Sequence, residues 1–232
     1  MIVDVIIPAL NEEKSIALVI QDIPSYLVRN IYVCDNGSTD NTAANAKSAG
    51  AIVVHEAKKG YGAACLKGIS TISNTNAPPD ILVFIDGDYS DYPQELESLI
   101  KPIIDSNKDL VIGSRVLGLA DKGSLTPVQK FGNALSTKLI SLLFNEHFTD
   151  LGPFRAIRWE SLMKLNMVDQ NYGWTVEMQV KAAKLKMDCC EVPVNYKNRI
   201  GKSKVSGTIK GSILAGYKIL STIFKHYNMF IK

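Results

Sequence analysis

The chain reads as an α/β protein, a mainly parallel central sheet flanked by helices, on three observations. Apolar runs of strand length recur between helical stretches through the first half: Ile2 to Ile7, Ile31 to Cys34, Ala51 to Val54, Ile81 to Ile85 and Asp109 to Gly113. Strands that are apolar throughout belong in a parallel sheet covered on both faces. The segments that follow them, residues 8–12, 35–40, 58–62 and 86–91, hold glycines and polar residues, and such sheets bind ligands at the carboxyl ends of their strands. Finally, 232 residues of 46% hydrophobic composition are enough for a sizeable core.

The elements follow in order. Ile2 to Ile7 is β-branched and is predicted to stop at Pro8. Asn11 is placed to cap a helix with Glu12 and Glu13 in its first turn and a buried stripe of Ile16, Val19, Ile20 and Ile23. After the second strand the turn Asp35-Asn-Gly-Ser-Thr-Asp40 leads into a short helix from Asn41 to a C-cap at Gly50. Beyond the third strand, Lys58-Lys-Gly-Tyr-Gly62 opens a helix that runs to Ser73 and is broken by Asn-Ala-Pro-Pro. Pro93 is placed to start the helix after the fourth strand. The later rhythm differs. Gln129 to Phe144 reads as an amphipathic helix with Phe131, Leu135, Leu139, Leu142 and Leu143 on one face. Pro153 to Trp159 reads as extended, Trp174 to Lys186 as helix, Cys189 to Tyr196 as strand and Thr208 to Tyr227 as a final helix. Ala120 to Pro127 is the best candidate for a mobile loop.

Lys and Arg number 26 against 23 Asp and Glu, a balance of +3 that is too small for wholesale nucleic-acid binding. The basic excess gathers late, where Lys197, Arg199, Lys202, Lys204 and Lys210 stand without an acid, a candidate anion or membrane-surface patch. Cys34, Cys65, Cys189 and Cys190 show neither a disulfide framework nor metal-ligand spacing, which predicts reduced packing residues in a cytoplasmic protein. The opening residues carry no basic leader, and no apolar run is long enough to span a bilayer, so membrane contact is expected to be peripheral.

The most informative segment is Ile81-Leu-Val-Phe-Ile-Asp86-Gly-Asp88-Tyr-Ser-Asp91. Side chains alternate with period two, so Asp86 and Asp88 share one side if the strand continues to them, and at that spacing they can share one divalent cation. Hard oxygen donors favour Mg²⁺ or Mn²⁺. Such a cation suits a diphosphate, whose charge it neutralises as a bond breaks. Asp and Gly are also ordinary turn residues. Two phosphate motifs are excluded by inspection. Gly60-Tyr-Gly62 has Cys65 where a dinucleotide fingerprint needs its third Gly or Ala, and Gly201-Lys-Ser203 has Tyr196 where a P-loop needs its first Gly. Asp86-Gly-Asp88-Tyr-Ser90 also resembles the haloacid-dehalogenase phosphoryl-transfer motif, with Asp86 as nucleophile, although those enzymes carry it on an early strand with Thr or Val in fifth place.

Taken in order, Pro8-Ala-Leu-Asn-Glu12, Asp35-Asn-Gly-Ser-Thr-Asp40, Lys59-Gly60, Asp86-Gly-Asp88 and Ile112-Gly-Ser-Arg115 resemble the motifs of family-two glycosyltransferases with the GT-A fold. Gly132-Asn133, Asp150-Leu-Gly-Pro-Phe-Arg155 and Arg199-Ile-Gly-Lys-Ser-Lys204 resemble the dolichyl- or polyprenyl-phosphate sugar synthase branch. The resemblance covers nearly the whole chain. It implies one inverting glycosyltransferase domain over 1–232, in which residues 1–115 bind a UDP- or GDP-linked sugar and residues 116–232 the acceptor. On the donor side it implies Pro8, Ala9, Asn11, Glu12, Asp35, Lys59, Asp86 and Gly87, with Asp35 facing the base, Asp86 at ribose or metal, and Asp88 on the cation that bridges the diphosphate. Ser90 stands where that branch often has Gln.

Arg115 and Arg155 match arginines that face phosphates, where a planar guanidinium suits a spread of oxygens. Arg199, Lys202 and Lys204 would hold a lipid-phosphate acceptor. A phosphate acceptor is already anionic and needs no strong base, whereas a soluble hydroxyl acceptor does, with Asp150 or Glu177 as the candidates. The helix over 129–144 and the final helix, with Ile213, Leu214, Tyr217, Leu220, Phe224 and Tyr227, offer apolar faces beside basic residues. An interfacial helix reads that way, and so does a helix packed on the core.

Overall fold

The computed structural model describes residues 1–201 and 209–228. The first half alternates as the sequence predicts: β1 (Val3–Ala9), α1 (Ile16–Asp22), β2 (Asn30–Asp35), α2 (Thr42–Ser48), β3 (Ile52–His55), α3 (Tyr61–Ser73), β4 (Ile81–Phe84), a 3-10 turn at Pro93–Glu95, α4 (Leu96–Ser106) and β5 (Leu110–Ser114). There follow α5 (Pro127–Phe144), β6 (Arg155–Arg158), α6 (Trp159–Leu165), α7 (Trp174–Lys184), β7 (Cys189–Pro193) and α8 (Ile209–Asn228). The strands form one seven-stranded sheet in the order β3-β2-β1-β4-β6-β5-β7. Pairing is parallel except at β6, which runs antiparallel to both β4 and β5.

Period-two alternation divides the core between the two faces of the sheet. Val3, Val5 and Ile7 of β1 join Ile81, Val83 and Ile85 under α1 and α4, with Ile16, Val19, Leu96, Leu99 and Ile103. Ile6, Leu82 and Phe84 face the other way, onto Ile69 and Ile72 of α3 and Trp174 and Met178 of α7. The ring of Phe84 meets Trp174 edge-on, centroids 5.8 Å apart. The order in which strands are added reverses at β1, with β2 and β3 on one side and β4 on the other, all parallel. The loops leaving β1 and β4 therefore part around a crevice at the carboxyl ends of the strands.

Three local readings need correction. β1 continues through Pro8 to Ala9. Its pairing with β4 ends at Ile6↔Phe84, so the missing amide of Pro8 falls beyond the ladder it would have served. Asn11 does not cap α1, which begins at Ile16; it lies at φ 53° in a turn. The apolar face of α5 is turned only in part to the core. Ile140 is buried with Ser136 and Thr137, and Leu139 and Leu143 pack on the core, while Val128, Phe131 and Leu142 point outward. The seven-residue α6, buried through Leu162 and Leu165, is too short to announce a helical period.

Candidate active site

Side chains from neighbouring loops fix the backbone around the crevice. Asn11 accepts the Thr39 amide on Oδ1 at 2.8 Å, and its own amide donates to Ser38 Oγ at 2.9 Å, which stitches the loop after β1 to the loop after β2. The left-handed backbone this requires is one that Asn tolerates. Asp35 accepts the Ser38 amide at 3.1 Å and faces His55 Nδ1 at 3.2 Å. Asn36 accepts the Gly60 amide at 2.7 Å and donates to the Lys58 carbonyl at 2.7 Å, so the loop after β3 is tied in as well. Lys59 Nζ donates to the carbonyls of Asn36 and Gly37 at 3.0 and 2.9 Å. Gly60, at φ 143°, lets the carbonyl of Gln170 approach, since a Cβ would lie 2.0 Å from that oxygen.

The two carboxylates of the fourth loop meet different partners. Asp86 Oδ1 accepts the Tyr61 hydroxyl at 3.0 Å. Burial, with the neighbouring Asp88 charge adding to it, pushes its carboxyl up to about 6. Asp88 is buried; Oδ1 accepts the Ser90 amide at 3.0 Å and the Ser90 hydroxyl at 2.5 Å, and Oδ2 pairs with Arg199 Nη1 at 2.8 Å. Tyr89 takes φ 62° to turn the chain between them. Asp91 lies beneath, 1% exposed, and neither carboxyl oxygen has a partner among the described residues. Burial and then the charges of Asp86 and Asp88 hold it well above the usual carboxylate range.

Two arginines that the sequence paired have different environments. Arg115, just past β5, clasps Asp150 through Nε at 2.8 Å and Nη2 at 2.7 Å, and its backbone amide donates to the same carboxylate at 2.9 Å. Burial opposes its charge, but the Asp150 carboxylate outweighs burial and raises the guanidinium above its ordinary value. The Tyr196 ring lies beneath it, centroid 5.0 Å away. Arg155 is fully buried and donates to the carbonyls of Gly152, Leu151 and Thr175. Burial lowers it to about 10. It does not line the cavity, and the expectation that it faces a phosphate is corrected: its donors brace the loop that carries Asp150.

The cavity over the crevice has a volume of about 1220 Å³. One end holds Pro8, Ala9, Glu12, Lys59, Tyr61, Asp86, Gly87, Asp88, Arg115, Asp150 and Arg199; the other is richer in apolar residues, with Val116, Leu125, Val128, Phe131, Leu135, Ile219 and Leu220 beside Gln129, Lys130, Asn133, Ser136 and Thr137. α5 and α8 form that second end and pack together, with the Phe144 and Tyr227 rings 6.1 Å apart. Phe131, in the lining, is 70% exposed, and Tyr217, outside it, 73%. Lys218 of α8 pairs with Asp169 at 2.8 Å.

The predicted bases do not present a free carboxylate. Asp150 lines the cavity with both oxygens on Arg115. Glu177 is buried away from it, accepting the Val168 and Asp169 amides and pairing with Lys181 at 2.7 Å. Asn11 and Asp35 hold loops together behind the lining, and Arg199 faces Asp88. Lys202 and Lys204 lie outside the described residues. Ser90, expected only to stand where the branch often has Gln, instead holds Asp88 Oδ1. Tyr61, Asp91 and Tyr196 were not expected at the site; only Tyr61 carried a signal, its place between two glycines after a strand.

Asp86 and Asp88 fit a divalent cation. They are carboxylates of like charge, Asp86 half-buried and Asp88 buried; burial and then the Asp88 charge raise Asp86, and a guanidinium already stands against Asp88. Among the described residues no third His, Cys, Asp or Glu joins them in ligating range, so substrate oxygens and water would complete the shell.

A seven-stranded, mainly parallel sheet whose fourth strand ends in paired carboxylates at the switch point is the architecture of a GT-A glycosyltransferase. The sequence profile of glycosyl transferase family 2 matches residues 4–165, and the chain belongs to that family. It is 36% identical over 216 residues to an uncharacterized glycosyltransferase of Mycobacterium tuberculosis strain H37Rv, covering 92% of this chain and 94% of that one. It is 29% identical over 214 residues to a dolichyl-phosphate hexose transferase of Haloferax volcanii, covering 90% and 89%. It is also 29% identical over 210 residues to a UDP-N-acetylglucosamine–dolichyl-phosphate N-acetylglucosaminyltransferase of Methanococcus voltae, covering 82% and 83%. Among solved structures, glucosyl-3-phosphoglycerate synthase of M. tuberculosis with Mn²⁺, uridine diphosphate and glucosyl-3-phosphoglycerate superposes with a TM-score of 0.77 at 21% identity, covering 98% of this chain and 80% of that one. The protein is a glycosyltransferase, and the haloacid-dehalogenase alternative, with Asp86 as nucleophile, has no support.

Proposed function

We propose that the enzyme moves a sugar, with inversion, from a nucleoside-diphosphate donor to a polyprenyl- or dolichyl-type phosphate. The observation that supports this is the continuity of the cavity, whose carboxylate and arginine end passes into a more apolar end walled by α5 and α8. A substrate with an anionic head and a hydrocarbon tail matches both ends, and the names of two relatives point the same way. The proposed division at residue 115 separates the loops that hold the donor from the helices that hold the acceptor.

Pro8, Ala9, Glu12 and Lys59 would bound the nucleoside, and Asp86 and Asp88 would hold Mg²⁺ or Mn²⁺. When bound, the cation supplies charge stabilisation to the departing diphosphate. Arg115, held by Asp150 and Tyr196, and Arg199, on Asp88, both line the cavity and would meet the phosphates. Among the described residues both candidate bases, Asp150 and Glu177, are engaged by cationic side chains, which suits an acceptor that arrives ionised. The proposed setting is the cytoplasmic membrane face, with peripheral contact. Among the described residues no helix is long and apolar enough to cross a membrane, and all four cysteines are free.

A phosphate is common to this acceptor and to the glucosylated glycerate phosphate named for the structural neighbour, so the test separates them. Nucleotide sugars are screened with Mg²⁺ or Mn²⁺ against a long-chain polyprenyl phosphate, phosphoglycerate and simple hydroxyl acceptors. Transfer to the polyprenyl phosphate with release of nucleoside diphosphate is expected. Transfer only to a soluble acceptor overturns the lipid assignment, and full activity in excess chelator removes the cation.

A further inference from the structure

Asp88 has little capacity left. Its Oδ1 already accepts two donors from Ser90, and Oδ2 pairs with Arg199 at 2.8 Å, which leaves one lone pair on Oδ2, beside the guanidinium. A divalent cation on Asp86 and Asp88 would place a second positive charge against that guanidinium, in a buried setting where like charges repel strongly. The backbone around Arg199 is pinned to the same loop: the Lys197 amide donates to the Ser90 carbonyl at 2.9 Å and the Ile200 amide to the Asp88 carbonyl at 3.0 Å. The guanidinium therefore moves on its own side-chain torsions while its anchor stays. It lines the cavity, and the planar fork suits phosphate oxygens.

We propose that Arg199 and the divalent cation are alternative partners of the Asp88 carboxylate, and that the cation transfers the guanidinium of Arg199 from Asp88 to a phosphate in the cavity. This rests on the reading of Asp86 and Asp88 as cation ligands. Arg199 is then a positioning residue that makes cation binding and phosphate binding reinforce each other, and the reinforcement is reciprocal. The arrangement gives opposite signs to two effects of one substitution. Removing the Arg199 charge relieves competition for Asp88 and also deprives the phosphate of a partner.

The test is Mn²⁺ binding to the whole protein, followed by electron paramagnetic resonance, for the wild type, Arg199→Gln, Arg199→Lys and Asp88→Asn. Without nucleotide, Arg199→Gln should bind Mn²⁺ about tenfold more tightly than wild type, the equivalent of one charge-assisted hydrogen bond. Arg199→Lys keeps the charge and should stay near wild type. With saturating uridine diphosphate the advantage of Arg199→Gln should vanish or reverse. Equal or weaker Mn²⁺ binding by a folded Arg199→Gln, when Asp88→Asn has lost it, overturns the exchange alone. Absence of Mn²⁺ binding in the wild type overturns the cation reading together with it. If Arg199→Gln misfolds, the Nε resonance of wild-type Arg199 still decides: it should shift on adding Mg²⁺, and a fixed resonance overturns the proposal.

Discussion

The two ends of the cavity are built on opposite terms. At the strand end, polar groups are locked by other polar groups: Asp88 by Ser90 and Arg199, Asp150 by Arg115, and Asn36 by the loop it crosses. At the helix end, Val128 and Phe131 of α5 line the cavity while staying largely exposed. The first end is pre-organised for charge that develops in place, since its dipoles need not move during reaction. The second leaves apolar surface that only an incoming apolar group would cover. The difference teaches where substitutions divide between chemistry, folding and acceptor choice.

The largest effect should come from the strand end. Asp88→Asn is expected to lower transfer by roughly a hundredfold or more, with a melting temperature close to wild type, as read by product assay and thermal unfolding. Near-normal turnover would place the chemistry elsewhere. The contrast between the two arginines is sharpened by Arg155→Leu, which strips donors from buried carbonyls and should cost about 3 kcal/mol in urea unfolding. A stability change near zero would mean those carbonyls find water.

At the helix end, Phe131→Ser should leave stability within about 0.5 kcal/mol. It should raise KM several-fold for a long-chain polyprenyl phosphate but not for a short-chain one, and equal effects on both chain lengths would detach Phe131 from the tail. The smallest signal is a pH slope at Asp91. Its folded value lies above the ordinary one near 3.9, so the stability it contributes is present below about pH 4 and is lost as pH rises through the folded value. Asp91→Asn does not titrate. The variant should gain on the wild type between about pH 4 and neutrality, and a flat difference in denaturant midpoints would show that Asp91 is already ionised or hydrated.

Much of the strand end could be read from the chain because its logic is local. Strand-length apolar runs set β1 to β5, and the end of β1 at Pro8 and the loops after the strands carry Glu12, Lys59, Asp86 and Asp88 to one edge, as the topology of a parallel sheet requires. The antiparallel insertion of β6 between β4 and β5 was not legible, because four residues of strand do not announce their direction. Periodicity could mark α5 and α8 as amphipathic but could not separate a face turned to the core from one turned outward.

The sequence alone determined the alternating α/β plan, the paired aspartates after the fourth strand and the family to which they belong, because each is written in residues close together along the chain. Tertiary structure alone decided which charges meet. Arg115 reaches Asp150 across 35 positions, Arg199 reaches Asp88 from a late segment, and Arg155 turns away onto carbonyls. Such partnerships depend on how distant segments cross at the sheet edge, and buried charges take whichever partner that crossing supplies.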